Sequence, residues 1–87
     1  MDQKETFEKA VTDSKTLPSR PDNEVLLRLY SLYKQATEGD INIGPPAMFD
    51  FVAKAKYDAW SNLKGLSASD AMTQYIDLVA QLSGKSY

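Results

Sequence analysis

The sequence predicts an all-α protein, a single-domain four-helix bundle of about 87 residues. Three observations predict it. Pro and Gly interrupt the chain at three internal places: Pro18 and Pro21, the stretch from Gly39 to Pro46, and Gly65. Between those breaks the apolar residues return every three or four positions, the period of a helix. Nowhere do apolar and polar residues alternate for long enough to make a strand. No internal repeat and no dividing linker argues for a second domain.

The first segment, about residues 4–17, sets Phe7, Ala10, Val11, Ser14 and Leu17 on one stripe. The second, about 22–38, opens on Asp22 as N-cap with Glu24 in its first turn. Gly39 supplies a left-handed residue at its end. Val25, Leu29, Leu32 and Ala36 form its core stripe, and Arg28, Ser31 and Gln35 its solvent face. The third, about 49–63, carries Phe49, Val52, Ala53, Trp60 and Leu63 on one face, with Lys54 and Asp58 placed to pair. The fourth, about 67–83, begins at Ser67 with Asp70 three residues on, an Asp version of the capping box. Ala68, Ala71, Met72, Tyr75, Ile76, Val79 and Leu82 form its apolar face. The connection over 39–48 is long, so the second and third helices need not be close antiparallel neighbours.

Composition excludes several kinds of chemistry. The chain has no Cys and no His. A disulfide, a thiolate ligand and an imidazole base are therefore unavailable to it, as is a Ser-His-Asp apparatus. We expect no catalytic residue, no metal site and no cofactor. Ten basic residues stand against twelve acidic ones, a net charge of −2. That balance argues against sequence-independent binding of nucleic acid, which needs a broad basic face. No apolar run reaches the roughly 20 residues that span a bilayer. The opening Met-Asp-Gln-Lys-Glu lacks the blocks of a signal peptide, and lipidation signals are missing. A cytoplasmic, monomeric protein is the expectation.

Three motif look-alikes fail on their spacing. Asp40–Gly44 starts like a calcium loop, but its Gly is fifth and its twelfth position is Phe51. Gly39 and Gly44 have phosphate-loop spacing, but Pro45-Pro46 replaces the Lys-Ser/Thr. Ser31-Leu32-Tyr33-Lys34 matches Ser-x-x-Lys without its companion motifs.

Other residues depart from an ordinary helical face. Leu27, Tyr30 and Lys34 line one flank of the second segment at i, i+3 and i+7, with Leu26 and Tyr33 between that line and the core. Lys56 projects into the middle of the third segment's apolar stripe, among Val52, Ala53, Ala59, Trp60 and Leu63. A lone ammonium there must pair, snorkel or face a cavity. Tyr75 sits centrally on the fourth apolar face, where its hydroxyl needs a partner. Lys15 lies beside the first stripe near its end. Each of these has a bland account as a snorkelling lysine or a satisfied core tyrosine. Together they offer phenols and ammoniums beside apolar surface, which suits an amphiphilic anion. A module that presents an apolar groove to a partner peptide uses the same faces.

Longer motifs narrow the choice. Leu29-Tyr30-Ser31-Leu32-Tyr33-Lys34-Gln35-Ala36-Thr37, followed by Gly39-Asp40-Ile41-Asn42, resembles a signature of the acyl-CoA-binding protein family. Lys54-Ala55-Lys56-Tyr57-Asp58-Ala59-Trp60 resembles its second signature, with Leu63-Lys64-Gly65 after it. Asp70-Ala71-Met72 with Tyr75-Ile76 is similar to the family's last helix. The resemblance implies non-catalytic binding, transport and buffering of medium- to long-chain acyl-CoA thioesters. By position it implies that Tyr30, Tyr33, Lys34 and Lys56 hold the adenine and the ribose 3′-phosphate. Tyr75 matches a further contact of the CoA part, and Lys15 a basic contact near the end of the first helix. Phe7, Ala10, Val11 and Leu27 match surfaces that shelter the acyl chain. Tyr57 stands where many members have Trp, and Val52 where some carry a basic residue. Ser14 interrupts a stripe that is more apolar in relatives. The resemblance is compatible with transient docking on a membrane or on enzymes that use acyl-CoA.

Overall fold

The computed structural model describes all 87 residues, Met1–Tyr87. Four helices form and no strand: α1 (Gln3–Ser14), α2 (Asn23–Glu38), α3 (Phe51–Ser61) and α4 (Ala68–Ser83). Each starts at a side chain that accepts an N–H three residues on. Asp2 takes Glu5 N at 2.8 Å and Asp22 takes Val25 N at 3.0 Å. Asp50 takes Ala53 N at 2.9 Å and Ser67 takes Asp70 N at 3.0 Å. These caps satisfy amides that the first turn leaves unpaired.

The caps also correct the expected ends. α3 begins at Phe51 because Asp50 is its cap, so Phe49 precedes the helix and is 88% exposed. α1 stops at Ser14, and Lys15 and Thr16 form a tighter turn on the carbonyls of Thr12 and Asp13. Gly39 has a positive φ of 79°, as its position requires, but its ψ of −150° is not left-handed helical. That region is open to glycine almost alone. Gly84 supplies the left-handed C-terminus, at the end of α4.

α1 packs on α4, α4 on α2, and α2 on α3. The second and third helices are thus neighbours, although the sequence left that open. Phe7, Ala10, Leu29, Leu32, Ala36, Ala71, Tyr75, Leu78 and Val79 build one core. Trp60 is buried beside it and its Nε1 donates to the Gly39 carbonyl at 2.9 Å.

Of the expected solvent face of α2, Arg28 is exposed but Ser31 and Gln35 are inside. Ser31 is 4% exposed and Gln35 is fully buried. The reason is the central place of α2, which has a helix packed on each of two sides. Ser31 donates to the Arg28 carbonyl at 3.1 Å. Gln35 Nε2 donates to Asp40 Oδ1 at 2.9 Å and to the Leu66 carbonyl at 2.8 Å. α4 also buries more than one stripe, so Leu78 joins the core, while Ala68 at its start is exposed. α3 has the opposite arrangement. It packs on one helix only, and Phe51 and Val52 remain exposed. No helix is long and apolar enough to cross a membrane.

Candidate functional site

Two open clefts lie on α2. The first, of about 550 Å³, is lined by Lys4, Phe7, Glu8 and Val11 of α1, Tyr33, Ala36 and Thr37 of α2, and Met72 of α4. Its walls combine aromatic faces with polar edges. The second, of about 450 Å³, is lined by Asn23, Leu26, Leu27 and Tyr30 of α2, Phe51, Val52, Ala55 and Lys56 of α3, and Arg20 from the α1–α2 connection. It is more apolar, and its only charged side chains are two cations.

Helical spacing on α2 joins the clefts. Tyr30 opens on one and Tyr33 on the other, and Lys34 follows one turn after Tyr30. Lys56 Nζ lies 5.3 Å from the centroid of the Tyr30 ring. Lys34 Nζ lies 5.1 Å from the Trp60 ring. Both ammoniums therefore sit against aromatic faces, where a ring quadrupole attracts a cation. Lys34 also donates to Glu38, one turn further along α2. That hydrogen bond is the largest influence raising the Lys34 pKa above its ordinary value, against partial burial, which lowers it.

Lys56 answers the question its position posed. It is exposed, because α3 leaves that flank uncovered, and its charge faces the second cleft. No burial cost arises, and the side chain remains available to a ligand.

Beneath the first cleft three rings interlock. Phe7 stacks with Tyr33 at 6.0 Å between centroids and meets Tyr75 edge-on at 5.1 Å. Tyr75 is buried, and its hydroxyl donates to Ser14 Oγ at 3.0 Å. Ser14 in turn donates to the Val11 carbonyl at 2.7 Å. The polar interruption in the first stripe is thus the partner that the core tyrosine required. Burial raises the Tyr75 pKa, and the Ser14 hydrogen bond opposes that shift.

The expected site residues separate into groups. Phe7, Val11 and Tyr33 share the first cleft, while Leu27, Tyr30 and Lys56 share the second. Phe7 and Leu27 thus belong to different clefts and do not form one surface. Ala10 has no exposed surface and belongs to the core, not to a cleft wall. Tyr75 is likewise buried, as one of the three interlocking rings. Lys15 is exposed just after α1, next in sequence to Ser14. Sequence reasoning missed Arg20, Phe51 and Ala55 as walls of the second cleft. Arg20 stands between two prolines, where no helical period exists to assign it a direction. Ala55 is one residue from Lys56 and was readable from the α3 wheel.

The chain matches the model of a family described as acyl CoA binding protein over residues 4–79. It is 49% identical over 80 residues to the acyl-CoA-binding protein of Dictyostelium discoideum, covering 92% of this chain and 95% of that one. It is 52% identical over 80 residues to enoyl-CoA delta isomerase 2 of Rattus norvegicus, but spans 20% of that longer protein. Among solved structures, acyl-CoA-binding protein 2 of Oryza sativa superposes with a TM-score of 0.89 at 40% identity, covering 99% of this chain and 100% of that one. The protein from Moniliophthora perniciosa superposes with a TM-score of 0.86 at 37% identity, covering 94% and 80%.

Proposed function

The chain belongs to the acyl-CoA-binding protein family, and from that premise we propose that it binds, carries and buffers medium- to long-chain acyl-CoA thioesters without reacting with them. The observation that carries this reading is the pair of dissimilar clefts on α2, with Lys56 lining the second and Lys34 one turn along α2 from Tyr30. The first cleft suits a flat base, which stacks on Tyr33 where the ring is exposed. Lys34 and Lys56 take the ribose 3′-phosphate, with Tyr30 between them as a phenol donor. The second cleft suits the acyl chain, along Leu26, Leu27, Phe51 and Ala55, with Arg20 at its edge.

This division reassigns part of the surface that family resemblance gave to the acyl chain. Phe7 and Val11 go to the base, and Leu27 stays with the chain. Ala10 and Tyr75 support the first cleft from below. Each buried methylene contributes about 0.8 kcal/mol before the cost of ordering the ligand. The absence of Cys and His leaves the thioester without a thiolate or imidazole to attack it. The protein acts as a monomer in the cytoplasm, without a cofactor.

Calorimetric titration tests the reading with three ligands: a long-chain acyl-CoA, the free fatty acid of the same length, and CoA itself. The ester is expected to bind at least about 100-fold more tightly than either part, since only it fills both clefts. Equal affinity for the ester and the free acid would sink the reading and leave a plain lipid carrier. Prolonged incubation with the ester is expected to release no free thiol.

A further inference from the structure

Lys34 is already engaged within α2. Its Nζ donates to Glu38 Oε2, one turn further along α2. Glu38 is poorly placed to serve the helix itself. It stands in the last turn of α2, where the exposed carbonyls disfavour an acid. A lysine that precedes its glutamate by four is also the weaker order of such a pair. The Glu38 side chain is 40% exposed, so water and salt screen the contact. A carboxylate in this position does little for stability and occupies one specific cation.

We propose that Glu38 is an internal competitor for Lys34: its carboxylate holds the ammonium until the phosphate of the ligand displaces it, and so sets the affinity for phosphate-bearing cargo. The inference rests on the reading that Lys34 meets the 3′-phosphate of CoA. A phosphomonoester carries a charge of about −1.5 to −2 at pH 7 and three acceptor oxygens, so it can displace a single carboxylate. A monoanion gains no such advantage over Glu38. After displacement Glu38 turns to water at little cost, because it is already half exposed. It remains one turn from the bound phosphate, and their like charges favour release. Glu38 is thus a positioning and attenuating residue, not a direct contact of the ligand.

The test compares wild type, Glu38→Gln, Lys34→Met and the double variant. Each is titrated at fixed salt with an acyl-CoA and with the same acyl chain on CoA lacking the 3′-phosphate. Glu38→Gln keeps the size of the side chain and removes its charge. It is expected to bind the acyl-CoA about two- to fivefold more tightly, as loss of a screened surface pair implies. Affinity for the dephosphorylated ester is expected to stay unchanged, since that ligand never competes for Lys34. With Lys34→Met in the background, the Glu38 substitution is expected to change nothing. Unchanged or weaker binding of acyl-CoA by Glu38→Gln overturns the proposal. Equal tightening toward both esters also overturns it, because that is a general charge effect. Wild type alone tests the underlying reading: if it binds both esters equally, the phosphate contact and this proposal fall together.

Discussion

Lys56 stands on α3 with its ammonium 5.3 Å from the Tyr30 ring and no ion pair to a carboxylate. An exposed cation on a ring is worth about 0.5–1 kcal/mol, so the fold hardly depends on it. A phosphate in the same place would depend on it strongly. Lys56→Met is therefore expected to lower stability by less than about 1 kcal/mol while weakening acyl-CoA binding at least tenfold. Chemical denaturation and titration of the same preparation check both halves. A stability loss as large as the binding loss would make Lys56 a structural residue. The sequence pointed to Lys56 because it broke an apolar stripe, and the structure places it on the wall of the second cleft. Whether the ammonium was buried or open was not legible, since it depends on how much of α3 its neighbours cover. The same kind of gap placed Gln35 on the solvent side. A polar residue on a helix wheel gives no sign that a connection 31 residues away will supply its acceptor. Ser14 gave the opposite signal, a polar group on an apolar stripe, and its partner Tyr75 lies 61 residues away.

The helices themselves were legible because what starts and stops them is local. Asp2, Asp22, Asp50 and Ser67 each cap with a bond spanning three residues. The order in which the helices pack was not, because it depends on which faces meet across the chain. α2 is the element that the two clefts share. It packs on α4 and α3, and it contributes residues to both clefts. Gln35 ties it to both neighbouring connections, through Asp40 in the α2–α3 segment and Leu66 in the α3–α4 segment. Asp40 Oδ1 accepts from Gly65 N as well, at 2.8 Å, so one carboxylate and one amide tie together the two connections that flank α3. Gln35→Ala removes two hydrogen bonds from a fully buried site and leaves a cavity. The expected cost is about 2–4 kcal/mol, read as a lowered urea midpoint with unchanged slope. A cost below about 0.5 kcal/mol would mean that α3 is held by its face alone.

For the whole molecule, the charged contacts fix a pH window. Three carboxyls have pKa values below their ordinary range. The Glu5 amide lowers that of Asp2, the Tyr87 hydroxyl and then Lys85 lower that of Asp13, and the Gly65 amide and then Gln35 lower that of Asp40. A group whose folded pKa is depressed stabilises above its unfolded pKa, and that contribution fades as pH falls through the folded value. The acid limb therefore begins near pH 4, around the ordinary carboxylate range. At the other end, burial and then the Asp13 carboxylate push the Tyr87 hydroxyl up to about 12, and burial raises Tyr75. A raised folded pKa stabilises fully below the unfolded value near 10, and the contribution disappears as pH rises through about 12. Between these limits the chain has no His and no Cys to titrate. The urea midpoint is thus expected to be flat from about pH 5 to 9 and to fall on both sides. Asp13 links the two limbs, since its carboxylate accepts from Tyr87 at 2.6 Å and pairs with Lys85 at 3.1 Å, joining α1 to the residues after α4. Asp13→Asn is expected to make both limbs shallower, the acid one by removing a depressed carboxyl and the alkaline one by removing the charge that raises Tyr87. Tyr87→Phe is expected to remove much of the alkaline limb and part of the acid one. A profile in which either variant changes one limb and leaves the other intact would show that this contact does not couple them.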